Sequence, residues 1–480
     1  MAKHFYLTTP IFYPNANLHL GHAYTTTLSD ILVRYQRALG EKTYFLTGSD
    51  ENTQKISLAA RAAGKSQNEF LDELIQNFKG LFSALNISYD QFIRTGDQKV
   101  HWPGAQALWK RIDEAGDLFK KKYEGLYCVC HEAFITEKDL VDGKCPEHNM
   151  VPERIQEENY FFKLSKYTGT VKEKIERGEL TIIPETRRNE ILSLLNEGLQ
   201  DVSFSRARKE DSVGIPVPGD ESQVMYVWCD ALANYVTALG FGREDDVLYK
   251  EFWPADVHVI GKDILRFHAA IWPAMLLSAG LPLPKTLLVH GFITSGGKKM
   301  SKTLGNVIDP KELLDEYGTD AVRYYLARHI SPFEDGDITR EGFKEAYNAN
   351  LANGLGNLVS RVMQMAVTHL QNPVEMTQET QPNSDVAAYI GMFELNRAMD
   401  SIWERIGHND ALIAIEKPFE RIKSDEVAIR DKALSIIKKL VRELYVIATE
   451  LQPFMPDTSE KIKKAVLGNK KPENLFPRKE

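Results

Sequence analysis

Residues 5–47 read FYLTTPIFYPNANLHLGHAYTTTLSDILVRYQRALGEKTYFLT, and the spacing of their apolar side chains decides the fold of the first part of the chain. Phe5-Tyr6-Leu7-Thr8 is a short, largely apolar run that predicts a strand ending at Pro10. Leu28, Ile31, Leu32, Tyr35 and Leu39 recur at helical spacing, with Gly40 as the stop. Thr43-Tyr44-Phe45-Leu46-Thr47 is a second strand. Strand, helix and strand in that order make a βαβ unit, and the right-handed crossover rule makes the two strands parallel. His19-Leu20-Gly21-His22 falls where the helix begins. Two imidazoles and a glycine then sit among the unpaired N–H groups of a helix N-terminus, which favour anions.

Further along, the alternation breaks and then resumes. Residues 120–159 lose apolar periodicity and collect cysteine, histidine, glycine and proline, which marks an insertion. Strand-like runs return near Val224, with Val257-His258-Val259-Ile260 and Thr286-Leu287-Leu288-Val289 as buried strands and a helix over 264–277 interrupted at Pro273. From about Phe343 the strands give way to helical periods: Leu351, Leu355, Leu358, Val362 and Met365, then 392–406 and 427–451, with a polar loop over 371–385. That is the pattern of a helical bundle.

At 480 residues the chain needs two or three cores, and a hydrophobic content of 43% can supply them. No apolar run reaches the length of a membrane span. The first residues carry no apolar signal segment, and four cysteines, three of them clustered, suit a reducing compartment. The expectation is a cytoplasmic enzyme with no membrane contact. A net charge of −8 argues against indiscriminate nucleic-acid binding, although residues 421–480 hold 14 Lys and Arg against 9 Asp and Glu. A solvated helical surface would have the same balance.

A second motif, Lys298-Lys299-Met300-Ser301-Lys302-Thr303, follows Gly291, Gly296 and Gly297. Lysines bracketed by glycines can close over a polyphosphate and hold the charge that develops as a leaving group departs. Together HLGH and KMSKT, in that order, resemble the two signatures of the class I aminoacyl-tRNA synthetases. The resemblance implies that His19, His22 and Lys302, supported by Lys299, stabilise the transition state as an amino-acid carboxylate attacks the α-phosphate of ATP. It also implies that His19, Gly21, His22 and Lys302 bind ATP. No protein nucleophile is required, because position and charge are sufficient.

Other segments resemble the methionyl-tRNA synthetase family within that class. They are Pro10-Ile11-Phe12-Tyr13-Pro14-Asn15, Tyr226-Val227-Trp228-Cys229-Asp230-Ala231-Leu232, Ile260-Gly261-Lys262-Asp263-Ile264 and Phe267-His268 with the Ile271-Trp272-Pro273 that follows. In order, these matches run to about Arg361. A thioether suits an apolar, polarisable pocket with aromatic neighbours. Tyr13, Trp228, Tyr235 and His268 supply such a pocket, with Ile11, Ala231, Leu232 and Ile264 as walls. By the same resemblance Asp50 holds the α-ammonium group, Arg206 contacts the adenylate or Asp50, and Gly261 and Asp263 hold the ATP ribose. The chain departs from the family at three places: Asn52-Thr53 where His-Gly is usual, Leu232 for proline and Phe419 for tryptophan. No role for the missing histidine carries over.

Cys128-Val129-Cys130-His131 and Cys145-Pro146-Glu147-His148 have the spacing of a zinc knuckle. The ligand set assigned is Cys128, His131, Cys145 and His148; Cys128, Cys130 and Cys145 with His148 is the rival, and free thiols without metal are the alternative. Asn357 and Arg361 share a helix face, and by resemblance they read the tRNA anticodon together with Phe419.

The resemblance thus implies an α/β fold, a split Rossmann-type parallel-sheet catalytic domain with a zinc-knuckle insertion, followed by an all-α anticodon-binding bundle. The boundaries expected are 1–118 and 223–290 for the two halves, 119–222 for the insertion, 291–345 for the KMSKS loop and stem-contact region, and 346–480 for the bundle. The implied reaction joins methionine to the 3′-terminal adenosine of tRNA(Met) through methionyl-adenylate. ATP with Mg2+ is the energy source, Zn2+ is structural, and the chain works as a monomer. Rival readings are a class I synthetase for another amino acid, an HxGH nucleotidylyltransferase and a non-catalytic RNA-binding relative. The absent editing insertion, the distant KMSKT loop and the intact signature residues respectively disfavour them.

Overall fold

The computed structural model describes residues 4–480 apart from 129–132, 136, 138–139, 146–149, 209–212, 301–305 and 377–383. The chain divides into two compact units. One takes in residues 1–17, 42–80 and 89–289; the other takes in 18–41, 81–88 and 290–480.

The first unit is built on a six-stranded sheet in the order Gln91–Arg94, Lys42–Ser49, His4–Phe12, Val257–Gly261, Thr286–His290, Thr181–Ile183. His4–Phe12 pairs in parallel with both neighbours, Leu7 standing opposite Phe45 on one side and Val257 on the other, and both edge strands also pair in parallel. Tyr6, Leu7, Phe45, Leu46, Val259, Ile260, Leu287 and Leu288 are buried, as the central strands of a parallel sheet covered on both faces require. Gly48 permits the pairing with Gln91–Arg94: a Cβ there would stand 2.2 Å from the Ile93 carbonyl oxygen.

Three elements differ from the sequence expectation. The first strand does not stop at Pro10 but runs on to Phe12, with a register shift between Thr8 and Ile11 that accommodates a residue lacking an N–H. The helix expected over 264–277 is a π-helical turn, Phe267–Ile271, leading into Trp272–Ser278. Pro273 lies in the first turn of that second segment, where its missing N–H costs least. The expected insertion is ordered by two long antiparallel strands, Leu118–Cys128 and Glu153–Phe162. Lys122 stands opposite Glu158, Tyr123 opposite Glu157 and Lys121 opposite Asn159. Charged, polar and aromatic residues facing one another across the pair therefore replace the apolar alternation by which a strand is recognised.

The second unit contains the helix Leu20–Ala38, the hairpin Ile293–Ser295 and Lys298–Lys299, and the bundle helices Asn357–His369, Leu395–Glu416, Val427–Leu451 and Pro456–Leu467. Leu351, Leu355, Leu358 and Val362 are fully buried, as their spacing predicts. The segment Tyr347–Gly356 is nevertheless a π-helix. Asn350, within it, donates its side-chain amide to the Ala346 carbonyl at 3.1 Å.

Arg323, fully buried, pairs with Asp30 Oδ2 at 2.7 Å and donates to the carbonyls of Leu85, Pro453 and Phe454. Asp30 also accepts from Arg34 Nε and from the backbone and hydroxyl of Ser88. These donors hold its carboxyl below the ordinary range against the opposing effect of burial.

Candidate active site

In the first unit, residues expected at the site lie at the carboxyl ends of three neighbouring parallel strands. Tyr13 follows His4–Phe12, Asp50 follows Lys42–Ser49, and Gly261 ends Val257–Gly261. The carboxyl ends of parallel strands are where ligands of such sheets bind. Gly261 caps a short 3-10 turn, Lys262–Ile264, which carries the exposed Asp263. Asp50 is buried; its N–H bonds the Phe12 carbonyl, and the Thr95 hydroxyl approaches its Oδ1 at 3.4 Å.

The expected amino-acid pocket gathers around the helix Val227–Thr237. Tyr235 donates its hydroxyl to His268 Nε2 at 2.7 Å, and His268 Nδ1 lies 2.9 Å from the Ile264 carbonyl. A carbonyl only accepts, so Nδ1 carries the hydrogen and Nε2 is the acceptor. The ring is neutral: burial pushes its pKa down to about 4, against a smaller upward pull from Ile264. Trp228 stacks on Phe267 at 3.7 Å between centroids and meets the edge of His268 at 6.2 Å. Ala231 and Leu232 are buried, and Ile11, Tyr13 and Ile264 pack half-buried against the core that includes Leu232 and Tyr235. Beneath, His258 bonds Thr8 and accepts from Trp272 Nε1, while its ring lies against Tyr235. Burial, then His268, puts its pKa well below the usual histidine range.

These two neutral histidines set a pH limit. Above about pH 6.5 the ring is neutral both folded and unfolded. As pH falls from there toward about 4, the unfolded chain takes up the proton and folded His268 does not. Stability therefore drops through that window by about 1.4 kcal/mol per pH unit for each such ring. Thermal unfolding followed between pH 7 and pH 5 should show the midpoint falling with acidity, and His268→Gln should reduce the slope.

Arg206, on the strand Ser205–Ala207, lies with its guanidinium over Tyr226 at 4.6 Å and donates to the Ser203 hydroxyl and the Ser205 carbonyl at 2.8 Å each. Cys128 and Cys145 are buried thiols, Cys128 at the end of its strand. The other expected metal ligands, His131 and His148, and the rival Cys130, lie outside the described residues.

In the second unit, His19 is the N-cap of Leu20–Ala38 and Gly21 and His22 are in its first turn. Gly21 N–H donates to His19 Nδ1 at 3.0 Å, and His19 N–H donates to His22 Nδ1 at 3.1 Å. With both Nδ1 atoms accepting, the proton of each neutral ring belongs on Nε2. The rings lie 3.9 Å apart. Burial, followed by the neighbouring His19 and His290, depresses the pKa of His22 well below its ordinary value. Gly21 is required by this arrangement, since a Cβ would come within 2.9 Å of the His19 ring.

His290, a residue the sequence reading passed over, bonds Thr25 Oγ1 through Nε2 at 2.8 Å and meets the ring of Tyr24 edge-on. A single histidine at a strand end carries no sequence signal. Just beyond it, Gly296 and Gly297 both have positive φ, 62° and 71°, and close a two-residue hairpin that few other residues would allow. Lys299 is on the returning strand opposite Thr294. Lys302 lies outside the described residues.

In the bundle, Asn357 is exposed at the start of its helix and Arg361, one turn on, bonds Asp410 at 3.2 Å. Phe419 leaves 41% of its surface exposed in the short helix Pro418–Arg421, which follows Lys417 in the left-handed conformation.

The parallel sheet with its site residues at the carboxyl strand ends, and the paired histidines of a helix cap, are the marks of a class I tRNA synthetase. Residues 5–151 and 140–363 match the family described as tRNA synthetases class I (M). The methionine–tRNA ligase of Clostridium acetobutylicum is 44% identical over 474 residues, covering 96% of this chain and 73% of that protein. That of Thermotoga maritima is 40% identical over 484 residues, covering 98% and 76%. Among solved structures, Mycobacterium tuberculosis methionyl-tRNA synthetase in complex with methionyl-adenylate aligns with a TM-score of 0.88 at 35% identity, over 100% of this chain and 99% of that one. The chain belongs to the methionine–tRNA ligase family.

Proposed function

We propose that this chain joins methionine to tRNA(Met) in two steps. In the first, a carboxylate oxygen of methionine attacks the α-phosphorus of ATP, the bond to the β-phosphate oxygen breaks, and methionyl-adenylate and pyrophosphate form. In the second, a ribose hydroxyl of the terminal adenosine attacks the adenylate carbonyl and AMP leaves. The observation that carries the reading is the histidine pair at the helix N-cap, whose backbone bonds direct two Nε2 donors toward charge that develops on phosphate oxygens. Mg2+ accompanies ATP in this chemistry.

Asp50 would hold the ammonium group, and Trp228, Tyr235 and His268, with Ile11, Tyr13, Ala231, Leu232 and Ile264, the thioether side chain. The fixed tautomer of His268 supports this, because it keeps the pocket uncharged. Gly261 and Asp263 would take the ribose, and Arg206 the adenylate. Lys299 and Lys302 would neutralise the leaving pyrophosphate. Because the substrates are those of translation, the expected setting is the cytoplasm.

Zinc would be held by Cys128, His131, Cys145 and His148. Two buried cysteines in an insertion of charged strands fit a structural metal, which would supply order that apolar packing there does not. Metal analysis should return about one zinc per chain, falling on replacement of Cys145 by serine.

Asn357, Arg361 and Phe419 would meet the anticodon. The Arg361–Asp410 contact holds the guanidinium in place before RNA arrives. Phe419→Ala should lower kcat/KM for tRNA by about 5- to 100-fold, the worth of one stacked base, and leave adenylate formation unchanged. Charging of tRNA(Met) with labelled methionine tests the proposed function. Acid-stable methionyl-tRNA formed only with ATP present is expected, and its absence with folded protein would refute the reading.

A further inference from the structure

The buried polar network under the proposed amino-acid pocket runs through Asn52. Asp230 lies in the first turn of Val227–Thr237, the helix that also carries Trp228, Ala231, Leu232 and Tyr235, and it is fully buried. Its Oδ1 is 2.6 Å from His101 Nε2, and its Oδ2 accepts from Asn52 Nδ2 at 2.7 Å. The second hydrogen of that amide goes to the Thr95 carbonyl at 2.9 Å. Thr95 Oγ1 accepts from the Glu51 N–H at 2.7 Å and reaches Asp50 Oδ1 at 3.4 Å. At the other end, His101 Nδ1 pairs with Thr237 Oγ1 at 2.7 Å. Thr237, His101, Asp230, Asn52, Thr95 and Asp50 thus form one hydrogen-bonded path. It joins both ends of the pocket helix to the carboxylate at the end of Lys42–Ser49, and each of the six is buried.

We infer that Asn52 is a positioning residue for the amino-acid pocket, fixing the distance between the Asp50 carboxylate and the helix that carries Trp228 and Tyr235. What the position demands here is donors: a buried carboxylate and a buried carbonyl both face it, and neither has a proton to give. The amide supplies two. Its isostere, aspartate, supplies none and sets a second carboxylate against Asp230. This inference rests on the proposed function, since it takes the pocket to hold methionine.

The test measures KM for methionine and for ATP separately, by pyrophosphate exchange, in wild type, Asn52→Asp and Asn52→His. Asn52→Asp should raise the methionine KM by about tenfold to a hundredfold while the ATP KM stays within about twofold. Asn52→His, which restores a donor to Asp230, should keep the methionine KM within about threefold of wild type. A purely structural role would lower the active fraction and leave both KM values alone, so an unchanged methionine KM in soluble Asn52→Asp protein would overturn the inference. If that variant does not fold, Thr237→Val decides. It removes the partner of His101 at the far end of the path and should raise the methionine KM several-fold; no change would likewise overturn the inference. Wild type inactive with methionine would instead refute the proposed function.

Discussion

Replacing His22 by alanine lowers the maximal rate of methionine-dependent pyrophosphate exchange by about 10²- to 10³-fold, a loss of roughly 3–4 kcal/mol of transition-state stabilisation. The size follows from geometry. The ring is held against the helix N-terminus by the N–H of His19 and lies tilted against the His19 ring, so its donor is placed before the reaction begins. Burial and the adjacent rings keep it neutral, which avoids opposing charge within the pair. A donor fixed in advance pays no reorganisation cost as charge builds on the phosphate oxygens. An interaction made only in the transition state leaves the KM values for ATP and methionine little changed on its removal, and that is the expected pattern. Steady-state exchange kinetics at saturating and limiting ATP separate the two effects. A large rise in ATP KM with an unchanged maximal rate would mean that His22 binds ground-state ATP instead.

Arg323→Met destabilises the second unit by about 3–5 kcal/mol, because it strips a buried carboxylate of one of its two guanidinium partners and leaves three carbonyls without this donor. For a domain of that size the thermal midpoint falls by about 10 °C. Asp30 keeps Arg34 and Ser88, which moderates the loss, while the carbonyls of Leu85, Pro453 and Phe454 each lose a donor. Those carbonyls distinguish this pair from one that well-packed apolar residues can replace. The double variant Asp30→Leu with Arg323→Met should therefore recover only part of the stability, and full recovery in a thermal-shift series would show that the carbonyl contacts contribute little.

The elements that were legible in sequence share one property: their burial is written as apolar spacing. Val257–Gly261, Thr286–His290 and Val427–Leu451 could be placed because neighbouring residues of one kind point into one core. The strand pair Leu118–Cys128 and Glu153–Phe162 could not, since charged, polar and aromatic residues face one another across it and a one-dimensional pattern does not show partners. The π-helix at Tyr347–Gly356 escaped for a related reason: its apolar residues repeat as in any helix, so their spacing does not reveal the wider turn. For the site, HLGH was legible as a motif with a position on a helix. His290, His101 and Asp230 were not, because each acts through partners far away in sequence. The asparagine at position 52 was visible only as a departure from a pattern; its bond to Asp230, 178 positions away, gives the departure a physical meaning.

The most direct test of the account is amino-acid-dependent ATP–pyrophosphate exchange on the purified protein, with all twenty amino acids run in parallel. Exchange with methionine, and with no other amino acid at comparable efficiency, is the predicted result. Exchange driven by a different amino acid would contradict the pocket built on Trp228, Tyr235 and His268, and exchange with none, from folded and zinc-replete protein, would contradict the activation chemistry assigned to His19 and His22.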